Sequence, residues 1–167
     1  ATPTPSLSAS VSPSGTPTQT SSPTETTSPS ASPSPEPTVA TIEVMRTDNI
    51  NERVRRLGED VVRPRLEKLR DRHPSVGDVR GLGLFWAIEL VRDRSTREML
   101  VPYNAAGAAN APMVELIGAC KSRGLMPFTN YNRLHVVPPC TVSDAEAKEG
   151  LAILDEVLTE VDAHYEG

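Results

Sequence analysis

The chain has 167 residues, of which 37% are hydrophobic, and it carries a formal charge of −5. That length fits one domain, or one domain with a tail, and the acidic balance gives no electrostatic basis for binding nucleic acid or an anionic membrane. No apolar run approaches the roughly 18 residues that a membrane-spanning helix needs.

Residues 1–38 consist almost wholly of Pro, Ser and Thr, with Leu7 and Val11 as the only large aliphatic side chains. Such a segment cannot bury enough apolar surface to offset the entropy of ordering it, so it reads as a disordered or polyproline-like linker. Glu25 and Glu36 are its only charges, so the body, 39–167, carries −3 of the total. The sequence starts at Ala1, without an initiating Met or the basic-then-apolar pattern of a signal peptide. It therefore reads as processed or truncated.

From Ile42 to Arg72 apolar residues recur at helical spacing, through Ile50, Val54, Leu57, Val61, Leu66 and Leu69. Asp48 or Asn49 is placed to cap the main segment. Pro64 predicts a kink or break, because it lacks the N–H of a helical ladder, and His73-Pro74 ends the element. The stretch VRGLGLFWAIELV, 79–91, reads as a single strand covered on much of both faces, with Trp86 in the core. Gly81 and Gly83 point to a bulge or close backbone packing rather than phosphate binding, since Trp86 stands where a dinucleotide fingerprint has its third glycine.

Residues 92–110 read as an irregular polar loop. Pro112 opens a helix that Gly124 stops. LMPF and RLHVV then read as two short strands, joined by a turn over Thr129-Asn130-Tyr131-Asn132. The last helix has a capping box, Ser143 with Glu146, followed by the apolar stripe Ala147, Leu151, Leu154, Leu158 and Val161. The sum is an α+β fold: a small, largely antiparallel sheet covered on one side by helices, behind a disordered Ser/Thr/Pro-rich tail. Its far side carries apolar residues that call for a partner.

Cys120 and Cys140 have no CxxC spacing and no His cluster nearby, so they read as two buried thiols rather than a zinc site, with a disulfide as the alternative. Reduced thiols suit the cytoplasm, whereas a Ser/Thr/Pro spacer suits a secreted modular protein with a glycosylated linker.

At VGDVRGLGLFWAIELV, VPYN, RGLMPF, NRLHVVPPC and SDAEAKEGLAILDE the body resembles the C-terminal small domain of class III (fold type I) pyridoxal-phosphate-dependent aminotransferases. VPYN and NRLHVVPPC are closest to the aspartate or taurine–pyruvate aminotransferase branch. The resemblance implies amino-group transfer from an amino donor to a keto acid, a homodimer, and pyridoxal phosphate in the intact enzyme. It also implies that the lysine, the aspartate and the phosphate cup that hold the cofactor belong to a large domain preceding Val39. The chain has three lysines, Lys68, Lys121 and Lys148, and each reads as a solvated helix residue. No catalytic residue and no cofactor are therefore expected on this chain alone.

The resemblance assigns substrate binding to Arg133, with His135 as the alternative position for the family's carboxylate-gripping arginine or as the lining of a pocket for a sulfonate or carboxylate. A guanidinium suits the task because its rigid fork matches an acidic group bidentately. The plainer reading is a surface arginine and a core-edge histidine two residues apart on one strand, sharing a face. His73 and His164 read as helix-end residues, and Tyr103 with Asn104 as either site-approaching or turn residues. Two further classes stay open: a non-enzymatic binding or assembly module, and a fragment of a secreted modular protein.

Overall fold

The computed structural model describes residues 35–167, with side chains from Thr38 onward. The linker expected over 1–38 lies outside the described residues except for its last four, and Pro35 to Thr38 belong to the first helix.

Helix α1 (Pro35–Thr47) is exposed at every residue from Thr38 on. The break before α2 (Ile50–Leu57) falls where the sequence placed it, at Asn49 with φ 50°, although the Asn49 side chain makes no capping bond. Pro64 was expected to interrupt the next stretch. The interruption lies one turn earlier, as a π-helical turn over Gly58–Val62, in which the Arg63 N–H reaches back to Gly58 O. Pro64 then occupies the first turn of α3 (Arg63–Arg72), directly after the π turn.

The apolar run 79–91 is two strands rather than one. Strand β1 (Val76–Leu82) and strand β2 (Phe85–Asp93) form an antiparallel hairpin with Leu82 opposite Phe85. The turn between them needs Gly83, whose φ of +56° is left-handed backbone that a side chain disfavours. The close packing expected at this glycine is present: a Cβ on Gly58 would lie 2.3 Å from Gly83 O, so the π turn and the hairpin meet backbone to backbone. Trp86 is 2% exposed, and its Nε1–H donates to Gly83 O at 2.7 Å.

The loop 92–110 contains a short strand β3 (Glu98–Met99) on β2 and a 3-10 turn, Gly107–Asn110, before α4 (Ala111–Ser122). Gly124 (φ +82°) follows the end of α4. Strand β4 is Phe128–Asn130, later than the expected LMPF, and β5 is Arg133–Val136. The turn between them is only Tyr131-Asn132, and Leu90 fixes it from both sides. The Leu90 N–H donates to Asn132 O at 2.9 Å, and Asn132 Nδ2 donates to Leu90 O at 2.8 Å. The final helix α5 (Asp144–Val161) has the capping box read from Ser143 and Glu146.

Strand order in the antiparallel sheet is β1-β2-β5-β4, with β3 also on β2. Side chains alternate across the sheet. Trp86, Ile88, Leu90 and Leu134 point into a core closed by Leu57, Leu66, Leu116, Leu154 and Leu158. The opposite face carries Leu82, Phe85, Phe128, Arg133 and His135 and has no covering layer among the described residues. Leu82 is 74% exposed, Phe85 64% and Phe128 66%.

Candidate functional site

Arg133 and His135 stand on the open face of β5, opposite Glu89 and Ala87 of β2. They share that face, as their spacing requires, but their surroundings differ. The His135 ring lies between Phe128 (centroids 5.1 Å apart) and Phe85 (6.5 Å), at the rim of an apolar pocket of about 340 Å³ bounded by Met126, Val137, Pro138 and Leu151. His135 Nε2 is buried without a hydrogen-bond partner.

Arg133 lines a second, polar cleft of about 580 Å³ together with Arg80, Arg94, Arg97, Asp78, Glu89, Tyr103 and Tyr131. The acidic groups of this cleft are already taken. Arg80 pairs with Asp78 at 3.1 Å and with Glu89. Arg94 turns away into backbone, with Nη2 2.6 Å from His73 O and 2.7 Å from Val76 O. The half-buried Arg133 makes no ion pair among the described residues, and its guanidinium lies 5.9 Å from the centre of the Tyr131 ring. That ring in turn meets Tyr103, with centroids 4.4 Å apart and the Tyr131 hydroxyl donating to the Tyr103 hydroxyl at 3.2 Å. This hydrogen bond holds the Tyr131 phenol above its ordinary value. The cleft therefore presents a basic fork with unused donors beside two phenols, which suits an acidic ligand.

A sequence model described as "Aminotransferase class-III" matches residues 35–158. The chain belongs to the class III aminotransferases. It is 32% identical over 134 residues to the taurine–pyruvate aminotransferase of Bilophila wadsworthia, a match covering 76% of this chain and 27% of that protein. It is 30% identical to the 4-aminobutyrate aminotransferase of Escherichia coli (strain K12), over 73% of this chain and 28% of the relative. Among solved structures, the taurine:2-oxoglutarate aminotransferase of Bifidobacterium kashiwanohense, in complex with PLP and glutamate, superposes with a TM-score of 0.68 at 28% identity. That match covers 75% of this chain and 27% of the other. This chain thus spans about a quarter of the length of the relatives it matches.

Class III aminotransferases use pyridoxal phosphate, and the described residues do not fit a site for it. Lys68, Lys121 and Lys148 are exposed on α3, α4 and α5, and none lines either cleft. A lysine that holds the cofactor needs a desolvated, shaped pocket.

Cys120 is buried but Cys140 is exposed, and both are free. His73 is not a simple helix-end residue: it is 1% exposed and sits between two carboxylates, Asp162 and Asp155. His164 reaches Glu115 at 2.9 Å. The pairing of Tyr131 with Tyr103 went unread, because residues 28 positions apart on two loops carry no periodic signal. Among the described residues, no helix is long and apolar enough to cross a membrane.

Proposed function

We propose that residues 39–167 form the substrate-facing small domain of a pyridoxal-phosphate-dependent transaminase, carried behind a Ser/Thr/Pro linker, 1–38. In this reading Arg133 grips the acidic group of the amino donor or keto acid. His135, with Phe85 and Phe128, walls the space beside it. The single observation that carries the reading is the half-buried Arg133 guanidinium over the Tyr131 ring, which has no acid partner among the described residues in a cleft whose other basic groups are engaged or exposed. Its parallel N–H groups fix a carboxylate or sulfonate bidentately and so orient the rest of the molecule. The relatives named for taurine and 4-aminobutyrate act on amines with such a group at the far end, and the same class of amine suits this cleft.

Amino transfer itself then depends on a lysine supplied outside these residues, so the chain alone binds without turnover, and the working enzyme is a homodimer. Two free thiols suit a cytoplasmic setting. The test is titration of the chain with taurine and with pyruvate, followed by NMR of the arginine Nε–H signals. Arg133→Ala weakens binding by about tenfold or more if the reading holds. Native affinity of the variant for both probes would remove it.

A second reading rests on the apolar half of the open face, where Leu82, Phe85, Met126, Phe128 and Val137 are all exposed. Contiguous patches of this kind mark interfaces, so the chain acts as a binding or assembly module. A monodisperse monomer in sedimentation that binds no apolar dye would count against that reading.

A further inference from the structure

We propose that Tyr131 is a positioning residue for Arg133, held in a disfavoured backbone conformation to do so, and that it sets the selectivity of the polar cleft for acidic ligands. This rests on the reading of Arg133 as the acid-binding group. Tyr131 has φ 54°, left-handed backbone that is an outlier for a bulky side chain. Asn tolerates that conformation far better than Tyr. An asparagine stands on either side, at Asn130 and Asn132, yet the tyrosine occupies the left-handed position. Strain of this kind persists where the surroundings over-determine it, and the surroundings here are specific.

The ring lies beneath the Arg133 guanidinium and rests on Tyr103, whose own loop carries another left-handed residue, Asn104, at φ 57°. Two loops thus converge to build one aromatic shelf. A flexible arginine on an open sheet face would otherwise sample many rotamers, and Glu89 directly opposite would attract it. The shelf holds the fork over the ring, while Arg80 neutralises Glu89. Because the Tyr131 hydroxyl donates to Tyr103, the Tyr103 proton stays available as a further donor toward a bound oxyanion.

The experiment compares Tyr131→Phe, Tyr131→Asn and Tyr131→Gly with Arg133→Ala in the full chain, using taurine and pyruvate as probes. Phe keeps the shelf, and its affinity should match the native chain. Asn and Gly, both at ease in left-handed backbone, should lose roughly two- to fivefold in affinity. They should do so without lowering the melting temperature, and the Arg133 Nε–H signal should move as the ring current disappears. Native affinity in Tyr131→Asn or Tyr131→Gly overturns the proposal. An unmoved Arg133 signal overturns it as well. If Arg133→Ala loses binding while the Tyr131 variants keep it, only the positioning role falls. If Arg133→Ala binds both probes normally, the reading beneath it falls too.

Discussion

His73 Nδ1 lies 2.7 Å from Asp162 Oδ2, and its other ring nitrogen, Nε2, lies 2.8 Å from Asp155 Oδ1. Each ring nitrogen thus faces a carboxylate oxygen within hydrogen-bond distance. Asp162 also takes the Ser75 hydroxyl at 2.6 Å, and Asp155 takes Arg72 at 2.6 Å. The network ties the end of α3 to the end of α5. His73→Ala leaves two carboxylates facing a void and should cost about 3 kcal/mol. Asp162→Asn, which keeps an acceptor for Ser75, should cost about 1 kcal/mol. Urea unfolding midpoints at unchanged slope check both values.

The contact of Gly58 with Gly83 predicts a second ordering. A methyl on Gly58 would fall 2.3 Å from Gly83 O and 2.6 Å from Gly83 Cα, all of it backbone that cannot step aside. Gly83→Ala meets a single Val54 methyl group at 2.9 Å rather than backbone, plus an unfavourable φ. We expect Gly58→Ala to cost about 3 kcal/mol or more and Gly83→Ala about 1–2 kcal/mol. Thermal melts of the two variants decide the order.

Acid should destabilise the chain in a defined window. Hydrogen bonds from Ser143 hold Glu146 below its ordinary 4.5, and the Arg56 guanidinium holds Asp144 below its ordinary 3.8. Arg55 and Arg63 depress Glu52 and Glu59 in the same way. A carboxyl whose folded value is depressed contributes its full stability above the unfolded value and loses it as pH falls through the folded one. Stability should therefore be flat above the ordinary carboxylate range and decline below it. Ser143→Ala removes the cap, costs about 1 kcal/mol at neutral pH, and should make the acid decline shallower. Denaturation at a series of pH values reads both effects.

The exposed lysines give a chemical prediction. Pyridoxal phosphate added to this chain should produce no lysine-dependent visible band, and borohydride should trap it at no single position, since Lys68, Lys121 and Lys148 are all solvated. One stoichiometric adduct, located by peptide mapping, would reverse that expectation.

The readable parts of this fold were those with local signatures. Ser143 and Glu146, three residues apart, announced the start of α5 because the reciprocal bonds are local. Arg133 and His135 were placed on one face by their spacing alone. The hairpin at Gly83 is hidden in the sequence because large apolar residues flank the glycine on both sides, at Leu82, Leu84, Phe85 and Trp86. The chain turns there for a backbone reason that hydropathy does not encode. Pro64 signalled a disturbance but not its form, since the π turn is set by Gly58 seating on the hairpin. His73 was unreadable because its partners lie 82 and 89 residues away.

Asn132 has a consequence for the site beyond its two bonds to Leu90. A strand displaced by one residue exchanges its faces. In β5 that exchange would send Leu134 out to water and drive Arg133 and His135 into the apolar layer. The Asn132 amide, gripping Leu90 from the last residue of the turn, acts as a register pin against that slip. Loss of the pin is thus expected to scramble which side chains the sheet displays before it unfolds the protein.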